Sequence, residues 1–363
     1  MVATDISNVE LLTNQIKEQR NLLNTDRLDL SFGEIISLYE RKEIIIKPAF
    51  QRYFRWDEEQ RTRFIESILL GIPIPPIFIA EDEDGIWELV DGLQRVSTIL
   101  SFFGLLRSED EGIRSKNNWE LTEGNRLPAL EGFTYETIPN QFRINIKRAN
   151  CRVEILRWNS NYDMRFELFN RLNTGGSPLT PQEIRNCIYR DISAKFNDFL
   201  KRIASNQDFL DLIDLTNEQL EQLYHEELAL RFISLHSNLK NVKTSIEQHM
   251  TSFMKAALDN KDFDYDSHEK LFVSVFNLLK PLGSTIFRQK DKRFATSLYD
   301  VITIGIAEHY DFYKNQPVNI ILDKINNEVR TDAVLLKFSR KGGNNQKIRI
   351  INRLKEAKRI FGE

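Results

Sequence analysis

In a chain of 363 residues, the stretch Val90-Asp91-Gly92-Leu93-Gln94-Arg95 gathers a carboxylate, a glycine, an amide and a guanidinium at one corner. An apolar run precedes it and "VSTIL" follows, so the spacing predicts a strand, a glycine hinge and a helix start. Unpaired backbone N–H groups and the positive end of the dipole make a helix start attractive to an anion. Gly92 lets a backbone approach a ligand without a Cβ. Arg95, in the first turn, can pair bidentately with phosphate oxygens, and Gln94 can orient a water or a base edge. Asp91 can hold a metal ion or pin Arg95. A helix that merely follows a hairpin, with Arg95 on Asp91 and nothing bound, uses the same residues. A guanidinium near a positive helix end is unfavourable unless something anionic sits there, and this weighs toward a ligand.

Two further stretches have the same character. In "KPAFQRYFRWDEEQ", Gln51, Arg52 and Arg55 are interleaved with Phe50, Tyr53, Phe54 and Trp56. Arginines among aromatics can hold phosphates and stack a base, which makes Gln51 and Arg52 nucleotide-binding candidates and Arg55 a DNA-contact candidate. Phe50 and Trp56 read better as core anchors. In "FNRLNTGGSPLTPQEIRN", Asn173, Thr174, Gly175 and Gly176 form a small-residue loop suited to touching phosphates or a hydrated Mg²⁺, with Asn173 joining Asp91 as a metal candidate. An ordinary helix connector explains the glycines equally well, but explains Asn170 and Asn173 less well.

The elements that position these residues are readable from local signals. A polar helix is expected over 5–25. A second helix opens at Ser31 as N-cap with Glu34 three residues on, and a strand covers 43–47. Asp57 caps a helix that buries Phe64, Ile65, Ile68 and Leu69 and stops at Gly71 and Pro73. Strands at 76–81 and 86–90 flank an Asp-Gly turn, and a helix runs from Leu93 to Phe103. Residues 107–126 read as a polar insertion loop. Another helix and a strand at 151–158 follow. Helices at 162–172 and 181–189 flank the glycine loop, the latter with a Thr180–Glu183 capping box. Past residue 191 only helical periodicity remains. The expected class is α+β, with a helical extension over 1–28, a mixed domain over 29–190 and an all-helical domain over 191–363.

Net charge is −3, so DNA cannot be gripped by bulk charge and any contact needs a local patch. One candidate is the C-terminal stretch "QKIRIINRLKEAKRIF", where Arg349 and Arg353 head a basic helix opposed within it only by Glu356. A solvated helix face is the blander alternative. Two cysteines, Cys151 and Cys187, give neither a disulfide framework nor a cysteine-rich zinc site. No signal peptide, membrane helix or P-loop is apparent, and a cytoplasmic setting is expected.

Four ordered motifs carry a family resemblance: Pro-x-Phe-Gln-Arg-x-x-Arg-Trp, Glu-Ser-Ile-Leu-Leu-Gly-x-Pro-x-Pro-Pro, Val-Asp-Gly-Leu-Gln-Arg and Phe-Asn-Arg-Leu-Asn-Thr-Gly-Gly. Over residues 30 to 190 the chain resembles the GmrSD-type restriction endonuclease N-terminal domain. The resemblance implies a ParB/sulfiredoxin-like fold, a place in modification-dependent restriction or other anti-phage defence, and NTP hydrolysis that depends on an Asp-Gly-Gln-Gln-Arg signature. Asp91, Gly92, Gln94 and Arg95 fall on that signature, with Asp91, Gln94 and Arg95 as catalytic candidates and Gly92 as a nucleotide-binding one. Gln51 and Arg52 fall on its upstream Gln-Arg. Leu93 replaces the first glutamine, and if that glutamine orients the attacking water, Leu93 cannot.

Many relatives carry an HNH nuclease. The five histidines here (His225, His236, His249, His268 and His309) lack the clustering such a site needs. The expectation is therefore a standalone sensor using Mg²⁺ and a nucleoside triphosphate. It would act with modified or unmodified DNA and a separately encoded nuclease or effector, with no membrane partner; homo-oligomers are compatible with it. The competing readings are a DNA-sensing module without hydrolysis and a structural adaptor.

Overall fold

A computed structural model describes residues 6–21, 24–46, 54–82, 84–157, 180–189, 194–238, 242, 245–339 and 345–362. Elements are numbered over these residues. The chain divides into two compact units, Met1–Leu179 and Thr180–Glu363.

In the first unit the described elements run α1 (Ile6–Asn21), β1 (Thr25–Ser31), α2 (Phe32–Glu40), β2 (Ile44–Ile45), α3 (Glu58–Leu69), β3 (Ile77–Glu81), β4 (Trp87–Asp91), α4 (Leu93–Phe102), α5 (Glu111–Arg114), α6 (Asn140–Arg148) and β5 (Asn150–Leu156). The strands form one mixed sheet in the order β1-β5-β3-β4-β2. The β1–β5 and β3–β4 pairs are antiparallel, and β3–β5 and β2–β4 are parallel. Local signals act as expected. The Ser31 side chain accepts from the Glu34 amide at 3.1 Å. Asp57 and Gln60 form a complete capping box on α3. Gly85, at φ 78°, makes the turn between β3 and β4. The core gathers Ile77, Ile79, Leu89, Val153 and Ile155 of the sheet with Phe32, Ile35, Ile65, Ile99 and Phe102 of the helices.

Two expectations are corrected. Residues 1–28 are not helical throughout, because α1 ends at Asn21 and Thr25 begins an edge strand. That strand is exposed and charged, and its identity depends on a distant partner. Arg27 and Asp29 lie opposite Glu154 and Arg152, with ion pairs of 2.8 and 3.3 Å. Residues 107–126 are no free insertion either. Trp119 and Leu121 are buried, and Trp119 Nε1 donates to Ser101 Oγ at 3.1 Å. Buried Glu66 of α3 accepts from the backbone N–H groups of Arg126 and Leu127 at 2.6 and 2.7 Å. Glu66→Ala orphans both donors, and we expect a loss of about 2–4 kcal/mol in urea-unfolding stability. Glu66→Gln, which keeps an acceptor, should lose markedly less.

The described elements of the second unit are helical: α7 (Pro181–Tyr189), α8 (Ala194–Ala204), α9 (Gln207–Ile213), α10 (Asn217–Glu221), α11 (Tyr224–Asn238), α12 (Ile246–Asp259), α13 (Tyr265–Leu279), α14 (Thr296–Glu308), α15 (Tyr310–Tyr313), α16 (Val318–Lys324), α17 (Ala333–Ser339) and α18 (Lys347–Gly362). Helix α14 is the axis of the unit, buried on nearly every side, as its almost unbroken apolar sequence requires. Gly305 lets α18 close on it, since a Cβ there would fall 2.2 Å from the Phe361 ring. No helix among the described residues is long and apolar enough to cross a membrane.

Candidate functional site

The corner after β4 has the predicted form. Asp91 ends the strand, Gly92 adopts φ 97° and Leu93 opens α4, whose N-cap makes no side-chain bond. The reason for the glycine differs from the expected one. A Cβ on Gly92 would meet Ile77 Cγ2 at 2.5 Å, so backbone sign and packing require glycine, not ligand approach.

Arg95 is 16% exposed and Asp91 36%, and they pair at 2.9 Å through Arg95 Nη2 and Asp91 Oδ2. The same Nη2 donates to the Pro76 carbonyl at 3.1 Å. Arg95 Nε is buried without a partner, and Nη1 makes no hydrogen bond to a described residue. Asp91 thus pins the guanidinium and leaves part of its donor set unused. Asp91 Oδ1 accepts nothing among the described residues, so one carboxylate oxygen remains for a cation. No group of three or more metal-ligating side chains occurs among the described residues.

Gln94 has a role that its position on the chain does not reveal. Its Oε1 accepts from the backbone N–H groups of Arg55 and Trp56, both at 3.1 Å. Lys116 Nζ donates to the Phe54 carbonyl at 2.5 Å. The peptide joining Phe54 to Arg55 is therefore gripped at both ends, by Gln94 and by Lys116. Instead of presenting its carbonyl to a water or base, Gln94 ties the arginine-aromatic segment to α4. Phe54 is core, Trp56 packs on Phe64 with ring centroids 5.7 Å apart, and Arg55 is half-buried. Burial, and secondarily the Arg61 charge, pulls the Lys116 ammonium below the ordinary lysine range. Arg61 is itself lowered by burial and lies 4.4 Å from the Trp119 ring. Sequence reasoning missed Lys116, which sits in what reads as polar loop and has no local signal. Gln51, Arg52, Asn173, Thr174, Gly175 and Gly176 lie outside the described residues. Among the described candidates, Asp91, Gly92, Gln94 and Arg95 lie together at the corner, and Arg55 reaches it through its backbone N–H alone.

The basic C-terminal helix is corrected. Arg353 is fully buried, with Nη2 on Asp300 Oδ2 at 2.9 Å, so it cannot be the DNA contact that its place in a basic run suggests. Arg349 is half-buried. Lys358 pairs with Glu308 at 2.7 Å, and Arg359 with Glu356 at 2.8 Å and Asp332 at 2.5 Å. Asp300, Glu308 and Asp332, outside α18, thus pair with Arg353, Lys358 and Arg359, three of the cations that make the helix look basic when it is read alone.

His236, His249 and His268 make structural contacts. His249 Nε2 bonds the Ser234 carbonyl at 3.0 Å, and the His236 ring stacks on Phe232. Burial holds His225 and His236 below the ordinary imidazole value of 6.5. A depressed folded-state pKa contributes stability that is present above 6.5 and lost as pH falls through the folded value. The urea midpoint should therefore drop between pH 7.5 and pH 5, and His236→Phe should flatten that drop.

The class these observations define is an α+β domain whose hairpin delivers an aspartate, a glycine and an arginine to a helix start, followed by a helical unit. Residues 32–190 match the family described as GmrSD restriction endonuclease, N-terminal domain. No curated protein and no solved structure gives a significant match.

Proposed function

We propose that this domain binds a nucleoside triphosphate with Mg²⁺ at the start of α4 and hydrolyses it, as the sensor of a restriction or anti-phage system. It would act with DNA and a separately encoded nuclease or effector. The observation that carries the reading is the state of Arg95. Among the described residues it is held in the first turn of α4 by Asp91 and the Pro76 carbonyl through Nη2, and Nη1 makes no hydrogen bond to any of them. A guanidinium so placed gains a second anionic partner at little reorganisation cost. Asp91 Oδ1 suits a hydrated Mg²⁺, which takes one or two carboxylates and several phosphate or water oxygens. The metal would screen the phosphates, while Asp91 and Arg95 set their position. The restriction-endonuclease family matched over residues 32–190 supports the defence setting and a DNA partner.

A second reading, nucleotide or DNA sensing without turnover, draws on Leu93. Its side chain is buried, at 5% exposure, and presents no polar atom to an attacking water. Phosphate release measured with each NTP, with and without modified and unmodified duplex, separates the two. Turnover lost in Asp91→Ala supports hydrolysis. Binding without release supports the second reading, and neither binding nor release defeats both.

A further inference from the structure

The second unit contains a pocket of about 480 Å³ that the nucleotide reading does not use. Its apolar lining comes from Leu298 and Val301 of α14, Val329, and Leu335 and Leu336 of α17. That volume lies in the range of small-molecule sites, which are mostly apolar with a few polar groups that fix orientation. The polar groups here are specific. Ser297, in the first turn of α14, lines the pocket, is only 6% exposed and makes no hydrogen bond to a described residue. Its hydroxyl is not among the buried unsatisfied atoms, so it is open to whatever occupies the pocket and can donate to it or accept from it.

Charge at the pocket is positive. Arg330 spends its donors on the backbone carbonyls of Thr285, Ile286 and Arg288 and has no carboxylate partner among the described residues. Lys290 at the rim is exposed and makes no ion pair with a described residue. The one acid of the lining, Asp291, is neutralised by Arg293. The wall carrying Val329 and Arg330 is one turn of π-helix, Ile325–Val329, closed by a bond from the Arg330 amide to the Ile325 carbonyl at 3.1 Å. Such turns are rare, and they recur where side chains must be re-aimed at a functional site.

We propose that this pocket binds a small amphiphile with an apolar body and a carboxylate or comparable anionic head. The body would lie on the accessible side chains of Leu298 and Leu336, above a floor of buried Val301, Val329 and Leu335, and the head would meet the Ser297 hydroxyl within the field of Lys290 and Arg330. The test titrates the full chain with octanoate and octylammonium by calorimetry, because the two probes share a tail and differ in charge. Octanoate is expected to bind at one site, and octylammonium about tenfold or more weakly. Lys290→Glu reverses an exposed charge and should weaken octanoate about threefold or more. Ser297→Val should weaken it further, with an unchanged thermal midpoint showing that the fold is intact. Equal affinity for the two probes, no octanoate binding, or octanoate affinity untouched in both variants overturns the proposal.

Discussion

Asp300→Asn should unfold this protein at markedly lower urea concentration, with a loss of about 3–5 kcal/mol from the helical unit. Asp300 is fully buried on α14 and serves two arginines. Arg231 of α11 reaches it at 2.6 and 2.7 Å, and Arg353 of α18 at 2.9 Å. Desolvation pushes the Arg353 guanidinium down and Asp300 pulls it back, so removing the carboxylate's charge leaves two buried cations facing each other. In a unit of this size the thermal midpoint should fall by roughly 6–20 °C. Replacing all three residues with apolar ones of similar volume should recover most of the loss, because the penalty lies in the uncompensated charge. A loss under about 1 kcal/mol for Asp300→Asn would mean that water reaches the site.

Arg95→Ala should weaken nucleotide binding by about tenfold or more, since a charge-assisted bond to phosphate contributes about 1.5–3 kcal/mol. Arg95→Lys keeps the charge but not the planar fork, and should fall between wild type and alanine. Asp91→Ala leaves Arg95 Nη2 only the Pro76 carbonyl and removes the carboxylate proposed to hold Mg²⁺. It should therefore cost more with Mg²⁺ present than with chelator, an asymmetry that a merely structural pair would not show. Arg114, exposed on α5, is the matched control and should leave affinity unchanged. Thermal unfolding of each variant separates lost contacts to ligand from lost contacts to the Pro76 carbonyl.

What could be read without coordinates was what local chemistry determines. The Ser31 cap, the Asp57–Gln60 box, the Asp-Gly hairpin and the Thr180–Glu183 box, with bonds of 2.7 and 3.3 Å, all depend on residues within a few positions of one another. So did the strand-glycine-helix corner that holds Asp91 and Arg95. What escaped was set by partners far along the chain. Strand β1 is recognisable only beside β5, where Arg27 meets Glu154 at a separation of 127 residues. Arg353 belongs to a basic-looking helix, yet its carboxylate lies 53 residues away on α14. Gln94 has the type and place of a catalytic amide, and only the fold shows it holding the Arg55 and Trp56 amides. Lys116 was invisible for the same reason, its acceptor being the backbone of Phe54.

The most direct test of the anion corner is a crystal structure of the whole chain with a non-hydrolysable nucleoside triphosphate and Mg²⁺. The account predicts phosphate oxygens at the start of α4 within hydrogen-bond reach of Arg95, with the Asp91–Arg95 pair retained. Phosphates bound elsewhere while that corner holds only solvent would contradict it.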